Sequence, residues 1–259
     1  MTAPGTAAGR RPTIDRVITE LLELPTDEGE MPTWLYRPGI AGPHPLVMYL
    51  MDAPSIRPAL HDMASRLATA GYYVMMPYLY YRGGPFREFG ASDEDMHARR
   101  DLMATVTPTS ILADAAAMLA YAERDPAAST QRFGAVGFCM SGGLTLAIAK
   151  AYPGRMQAAA SIHGAWLVRD SADSPHLGLE RATAEIYFGW CDNDPTAPLD
   201  DRRTMEATLD AAGLTYTLDF YTDAVHGYAP AGERHHRAAS EQHWERVHDM
   251  FLRRLLRPG

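Results

Sequence analysis

Residues 137–143, Gly-Phe-Cys-Met-Ser-Gly-Gly, constrain this chain more than any other stretch. Before them, residues 131–137 make a short apolar run with strand character. After them, residues 143–152 read as a helix rich in Ala and Leu, ended by Pro153-Gly154. A strand that passes directly into a helix must bring its backbone close to its neighbours, and glycine permits that. The turn then carries Cys139 at its tip. A helix start offers free N–H groups and a positive dipole end, which favour an anionic sulfur and, later in a reaction, an oxyanion. The competing reading of Cys139 is a small buried hydrophobe, a common fate of free cysteine.

Downstream residues separate the two readings. Residues 184–188 read as a strand running into a turn with two carboxylates, Asp192 and Asp194, followed by Pro198. Residues 216–221 form an alternating strand that ends in a loop carrying His226. A nucleophile, an acid and a histidine in that chain order, each past a strand end, match the order used by the α/β-hydrolases. This favours a catalytic Cys139, with Asp192 and Asp194 as rival candidates for the acid. Ser141 is a rival nucleophile, but the residue two before it is not glycine, and its frame moves the nucleophile into the first helical turn.

Along the rest of the chain strands and helices alternate. Residues 17–24 and 31–36 suggest an opening antiparallel pair. Residues 45–51 are a buried-type strand, 57–70 an amphipathic helix and 72–76 another strand, stopped by Pro77. Residues 111–124 form a core-facing helix. The β-α-β-α order predicts the α/β class, with a mostly parallel central sheet covered by helices on both faces. Between residues 78 and 108 lies a long irregular connection, read as a cap over a pocket. It holds one helix, whose start at 92–95 has the capping-box form. Residues 1–12 are small, polar and basic and read as a disordered tail. Residues 13–259 then form a single domain.

Composition narrows the class. With 46% hydrophobic residues the chain can bury one sizeable core, and its net charge of −8 argues against a nucleic-acid surface. No stretch approaches eighteen apolar residues, so no membrane span is expected. The two cysteines, Cys139 and Cys191, fall at the ends of strands that have another strand between them in the usual order. Strand spacing of about 4.8 Å then holds them beyond disulfide reach. Free thiols point to a cytoplasmic setting. No metal site is predicted: His235, His236, His243 and His248 lack the H-E-x-x-H form and read as a solvated helix face. Neither G-x-G-x-x-G nor a P-loop occurs, so no nucleotide cofactor is expected.

The chain resembles the dienelactone hydrolase family of α/β-hydrolases, which use Cys, Asp and His. The likeness rests on residues 137–143, on Asp194 with Pro198, and on 221–226. It is supported by Met51-Asp52-Ala53-Pro54 and by residues 77–82. The resemblance implies an α/β-hydrolase fold and a Cys139–Asp194–His226 triad. It also implies an oxyanion hole from the backbone N–H groups of Met140 and Ala53. Asp52 stands where the family places a Glu that contacts the resting thiol and relays its proton. Arg82 matches an arginine that holds a substrate carboxylate, with Tyr81 beside it, and His163, past another strand end, is a candidate for the pocket lining. Three positions depart from the family pattern: Ser141 replaces the glycine ending G-x-C-x-G, Tyr78 stands where Asp is usual, and Pro230 replaces a second carboxylate-binding arginine.

A thiolate is itself a good leaving group, so a tetrahedral intermediate collapses backwards unless the other leaving group is also good. Small lactones and activated esters meet that condition, and ordinary amides do not. The reading is a cofactor-free hydrolase of small lactones or activated carboxylic esters that works through an acyl-enzyme. The expected substrate is a small-molecule lactone or ester, with or without a carboxylate, and no nucleic acid or membrane is expected as partner. The alternative is a hydrolase fold kept as a non-turnover small-molecule binding protein.

Overall fold

The computed structural model describes residues 16–90 and 92–257. The tail expected over residues 1–12 lies outside the described residues. One eight-stranded sheet carries the fold, in the order β1-β2-β4-β3-β5-β6-β7-β8. Strands β1 (Val17–Thr26) and β2 (Gly29–Pro38) form the expected antiparallel pair, and β2 joins β4 (Tyr73–Pro77) antiparallel. From β4 onward all pairings are parallel, through β3 (His44–Leu50), β5 (Ala128–Phe138), β6 (Met156–Ile162), β7 (Glu185–Cys191) and β8 (Tyr216–Tyr221).

Burial explains the apolar runs. Every residue of β3 and β7 is buried, as a strand covered on both faces requires. On one face α3 (Pro108–Ala122) lies against α4 (Gly142–Ala151). On the other, α1 (Pro58–Thr69) meets α6 (Arg237–Phe251), where Arg66 pairs with Glu241 at 3.0 Å and lies over the Trp244 ring. The connection from 78 to 108 contains α2 (Asp93–Met103), started by Ser92, whose Oγ accepts from the Asp95 N–H at 3.1 Å. The reciprocal capping box occurs instead at α3, between Thr107 and Ser110. Helix α5 (Leu199–Ala211) joins β7 to β8.

Strand order reverses between β3 and β5, because β4 lies to one side and β6 to the other. In open α/β sheets the carboxyl ends at such a switch point leave a crevice. Asp52 and Ala53 follow β3, and Cys139 follows β5, so both border it.

Among the described residues no single helix is long and apolar enough to cross a membrane.

Candidate active site

Cys139 holds φ at 54°, a left-handed conformation uncommon for a residue with a side chain. Such strain persists only where the surroundings enforce it. They do so here in three ways. A Cβ at Gly137 would collide with the Ser141 carbonyl, so only glycine fits two residues before the cysteine. The Ala165 N–H donates to the Cys139 carbonyl at 3.0 Å. Ser141, the departure from the family pattern, is fully buried and its Oγ donates to the Met51 carbonyl at 2.6 Å. The close approach moves one residue on, to Gly142, where a Cβ would sit 2.6 Å from the Gly164 Cα. A hydroxyl that ties the turn to β3 thus occupies the position of the missing glycine.

His226 lies in the loop after β8 with Nε2 3.0 Å from Cys139 Sγ. Its Nδ1 donates to Asp194 Oδ2 at 2.6 Å. Asp194 follows β7 and is buried, and its Oδ1 accepts from the Thr196 N–H at 2.9 Å and the Thr196 hydroxyl at 2.7 Å. The rival Asp192 is half-exposed and bonds the adjacent Asn193 N–H. Burial lowers the His226 pKa, but the bonds to Asp194 and Cys139 outweigh it and raise the value to about 10. Burial likewise works to raise the Asp194 pKa, and the His226 and Thr196 bonds hold it below the usual carboxylate range. The bonds therefore favour the imidazolium form of His226 beside the Asp194 carboxylate.

Met140 follows Cys139 at the end of β5, and Ala53 lies three residues past the end of β3. Among the described residues neither donates to a backbone carbonyl outside regular structure. Tyr80 ties these two segments together: its hydroxyl lies 3.0 Å from the Ala53 carbonyl and 3.2 Å from Met140 Sδ.

Four expected residues sit elsewhere than the sequence suggested. Asp52 is buried at the site, but both its oxygens are held by Arg57, at 2.5 and 2.8 Å, and no bond to the thiol forms. Arg82 is not free to hold a substrate carboxylate. Its Nε donates to Glu28 at 2.5 Å, and its two terminal nitrogens grip the buried Asp114 at 3.1 and 2.8 Å. Tyr81 is drawn the same way, its hydroxyl 3.0 Å from Asp114. The residue of that aromatic run that faces the site is Tyr80. His163 is 1% exposed and stacks edge-on behind His226, ring centroids 5.3 Å apart, so it backs that imidazole rather than lining a pocket.

The C-terminal helix also differs from expectation. His243 is fully buried, against Tyr228 and Trp244, because it shares the apolar face of α6 with Val247 and Phe251. Burial, with the charge of Arg66 adding to it, pushes its pKa down to about 3. No group of side chains among the described residues is arranged to hold a metal ion.

Sequence reading missed Arg57, Thr196, Tyr80 and Cys191. Cys191 is the other free thiol, and its Sγ lies 3.6 Å from Asp194 Oδ2. One strand, β6, does separate β5 from β7, as the argument against a disulfide required. Pro230, where a second arginine was absent, is buried and carries no charge. A cavity of about 410 Å³ opens beside the elbow, bounded there by Met140 and Ala165.

Residues 31–255 match the dienelactone hydrolase family. The chain is 26% identical over 247 residues to the “Putative carboxymethylenebutenolidase” of Synechocystis sp., a match that spans 94% of this chain and 99% of that protein. It is 27% identical over 242 residues to the protein of the same name from Escherichia coli strain K12, spanning 92% and 88%. Its fold is similar to the crystal structure of the “Putative Dienelactone Hydrolase” from Klebsiella pneumoniae. There the TM-score is 0.82 at 24% identity, over 92% of this chain and 100% of that one. With the family matched across most of its length and an α/β-hydrolase sheet presenting Cys139, Asp194 and His226 together, the chain belongs to the dienelactone hydrolase family.

Proposed function

We propose that the protein hydrolyses small lactones or activated carboxylic esters, with Cys139 as nucleophile, His226 as acid and base, and Asp194 as the residue that orients the imidazole. The observation that carries this reading is the unbroken line Cys139 Sγ–His226 Nε2, His226 Nδ1–Asp194 Oδ2, at 3.0 and 2.6 Å. The curated relatives named as carboxymethylenebutenolidases support a lactone substrate.

In this mechanism the Cys139 sulfur attacks the carbonyl carbon, and the carbonyl π electrons move onto oxygen. The N–H groups of Met140 and Ala53 receive that oxyanion, each donor contributing about 2.7–4 kcal/mol to lowering the barrier. The oxyanion collapses, the C–O bond to the leaving group breaks, and His226 gives its proton to the departing oxygen. This leaves a thioester on Cys139. Water then attacks the thioester carbonyl and returns its proton to His226, and the C–S bond breaks to release the acid. The Asp194 carboxylate stabilises the imidazolium throughout. Two unpaired thiols support a reducing, cytoplasmic compartment.

Turnover of p-nitrophenyl acetate and of an enol lactone, with and without iodoacetamide, tests the proposal. Rapid turnover abolished by one equivalent of alkylation at Cys139, with a mass increase of one acyl group on the quenched protein, is the expected result. Turnover that survives full alkylation of Cys139 overturns it.

A further inference from the structure

The cavity beside the elbow is larger than a compact lactone needs. Its volume of about 410 Å³ falls in the range that encloses drug-sized ligands. It starts at Met140 and Ala165, which adjoin Cys139 in sequence and by hydrogen bond. From there it follows one face of α4 through Gly143, Leu144, Ala147 and Lys150, a spacing that keeps them on one side of a helix. Lys150 stands seven residues beyond Gly143, or about 10 Å along the axis at ~1.5 Å per residue. The near and middle walls are apolar, with Val106 and Leu112 opposite the helix.

The end at Lys150 is different: Arg181 neighbours Lys150 there, Arg169 is a third cation of the lining, and Asp173 is the one carboxylate among the lining residues. Asp173 is 3.3 Å from Arg169, and both side chains are exposed, so that pairing is weak and exchangeable. Lys150 gives two N–H groups to the carbonyls of Pro175 and Leu177, at 3.1 and 2.8 Å, and keeps a third. Burial and the neighbouring Arg181 charge lower its pKa, with the Glu180 carboxylate acting against them. Pro175, another lining residue, packs closely on α4 because Gly143 has no side chain: a Cβ there would lie 2.7 Å from it. Meanwhile Arg82 has its donors taken by Glu28 and Asp114.

We propose that this cavity is an acyl-arm subsite that takes an extended apolar chain ending in an anion, with Lys150, Arg169 and Arg181 as its receptors. The substrate class is then an activated ester whose acyl chain carries a terminal carboxylate well removed from the scissile carbonyl. The assignment rests on the hydrolase reading above for its link to Cys139, and extends it from reaction type to substrate shape.

Two measurements test it. In the first, kcat/KM is compared for the p-nitrophenyl half-ester of octanedioic acid and for p-nitrophenyl octanoate, each normalised to p-nitrophenyl acetate. The half-ester is expected to exceed the octanoate at least tenfold. The ratio should fall towards one in Arg169→Gln and in Lys150→Met, and Ala147→Phe, which fills the middle of the cavity, should depress both long esters. Arg169→Gln touches no carbonyl that Lys150 holds, so it reports even if Lys150→Met loosens the wall. The second is calorimetric titration of the Cys139→Ala protein with octanedioate and with octanoate, which needs no turnover. Tighter binding of octanedioate, lost in the added Arg169→Gln change, is expected. Equal binding of the two acids, or a half-ester preference untouched by both cation variants, overturns the subsite. If the wild-type protein turns over no ester at all, the hydrolase reading fails, and the titration still decides the subsite.

Discussion

Arg57 grips Asp52 with both terminal nitrogens, at 2.5 and 2.8 Å, directly under the crevice that holds Cys139. The pair changes how a carboxylate beside a thiol acts. An unpaired carboxylate would oppose a thiolate by like-charge repulsion. Paired with Arg57, most of that repulsion is cancelled, and the sulfur charge in turn helps to hold Arg57 protonated.

The two partners therefore have opposite effects on sulfur reactivity. Asp52→Asn leaves Arg57 uncompensated near the sulfur and should speed iodoacetamide alkylation of Cys139 at neutral pH several-fold. Arg57→Met leaves Asp52 alone and should slow it. Identical alkylation rates in all three proteins would reduce the pair to a turn-stabilising bridge.

Cys139→Ala should remove ester turnover. Ser141→Ala should retain most of it while lowering stability. The buried Met51 carbonyl loses its hydroxyl donor, a cost of about 1–3 kcal/mol. Urea unfolding measures the second effect and steady-state kinetics the first. A stable but inactive Ser141→Ala protein would return Ser141 to consideration as the nucleophile.

Arg82→Met should act on stability rather than on substrate charge. Asp114 is 1% exposed and would be left as a buried, unpaired carboxylate, which costs about 3–5 kcal/mol. Thermal melting should drop accordingly, and kcat/KM should change equally for neutral and carboxylate-bearing esters. A loss confined to charged substrates would restore the arginine to the binding site.

The pH dependence of stability should carry the signature of His226. Its folded pKa is raised from 6.5 to about 10, so between those values the folded state holds a proton that the unfolded state releases. The stabilisation is complete below about pH 6.5 and is lost as pH rises through about 10. The lowered pKa of Asp194 describes the same pairing from its other partner and is not counted again. Unfolding in urea at pH 7 and pH 10 should show the gap between wild type and His226→Gln narrowing at the higher pH. A gap independent of pH would mean that the imidazole is neutral in the folded protein.

Thr196→Val removes the hydroxyl that Asp194 Oδ1 accepts at 2.7 Å but keeps the backbone donor at 2.9 Å. Loss of one charge-assisted bond of about 1.5–3 kcal/mol should lower kcat roughly tenfold or more with little change in KM. An unchanged kcat would show that the backbone N–H alone orients the carboxylate.

The sequence by itself determined the elbow, the order of Cys139, Asp194 and His226 at successive strand ends, and the alternation of strands and helices. Each of these is local: a glycine before a tight turn, an apolar run of strand length, a polar residue just past its end. Cys139, Asp194 and His226 were legible because parallel strands deliver their carboxyl-end loops to one edge of a sheet, whatever packs around them. Partners distant in sequence were not legible. Arg82 and Asp114 are 32 residues apart, with all of α2 between them, and the run of residues 77–82 does not say whether Tyr80 or Tyr81 turns inward. The same holds for Arg57, five residues beyond Asp52 and just before α1 begins. Which cation meets which carboxylate depends on how helices seat on the sheet, and a buried charge takes the nearest partner that compensates its lost hydration. The tertiary structure alone decided that Arg82 pairs with Asp114, that His163 and His243 are interior, and that Lys150, Arg169 and Arg181 line one cavity.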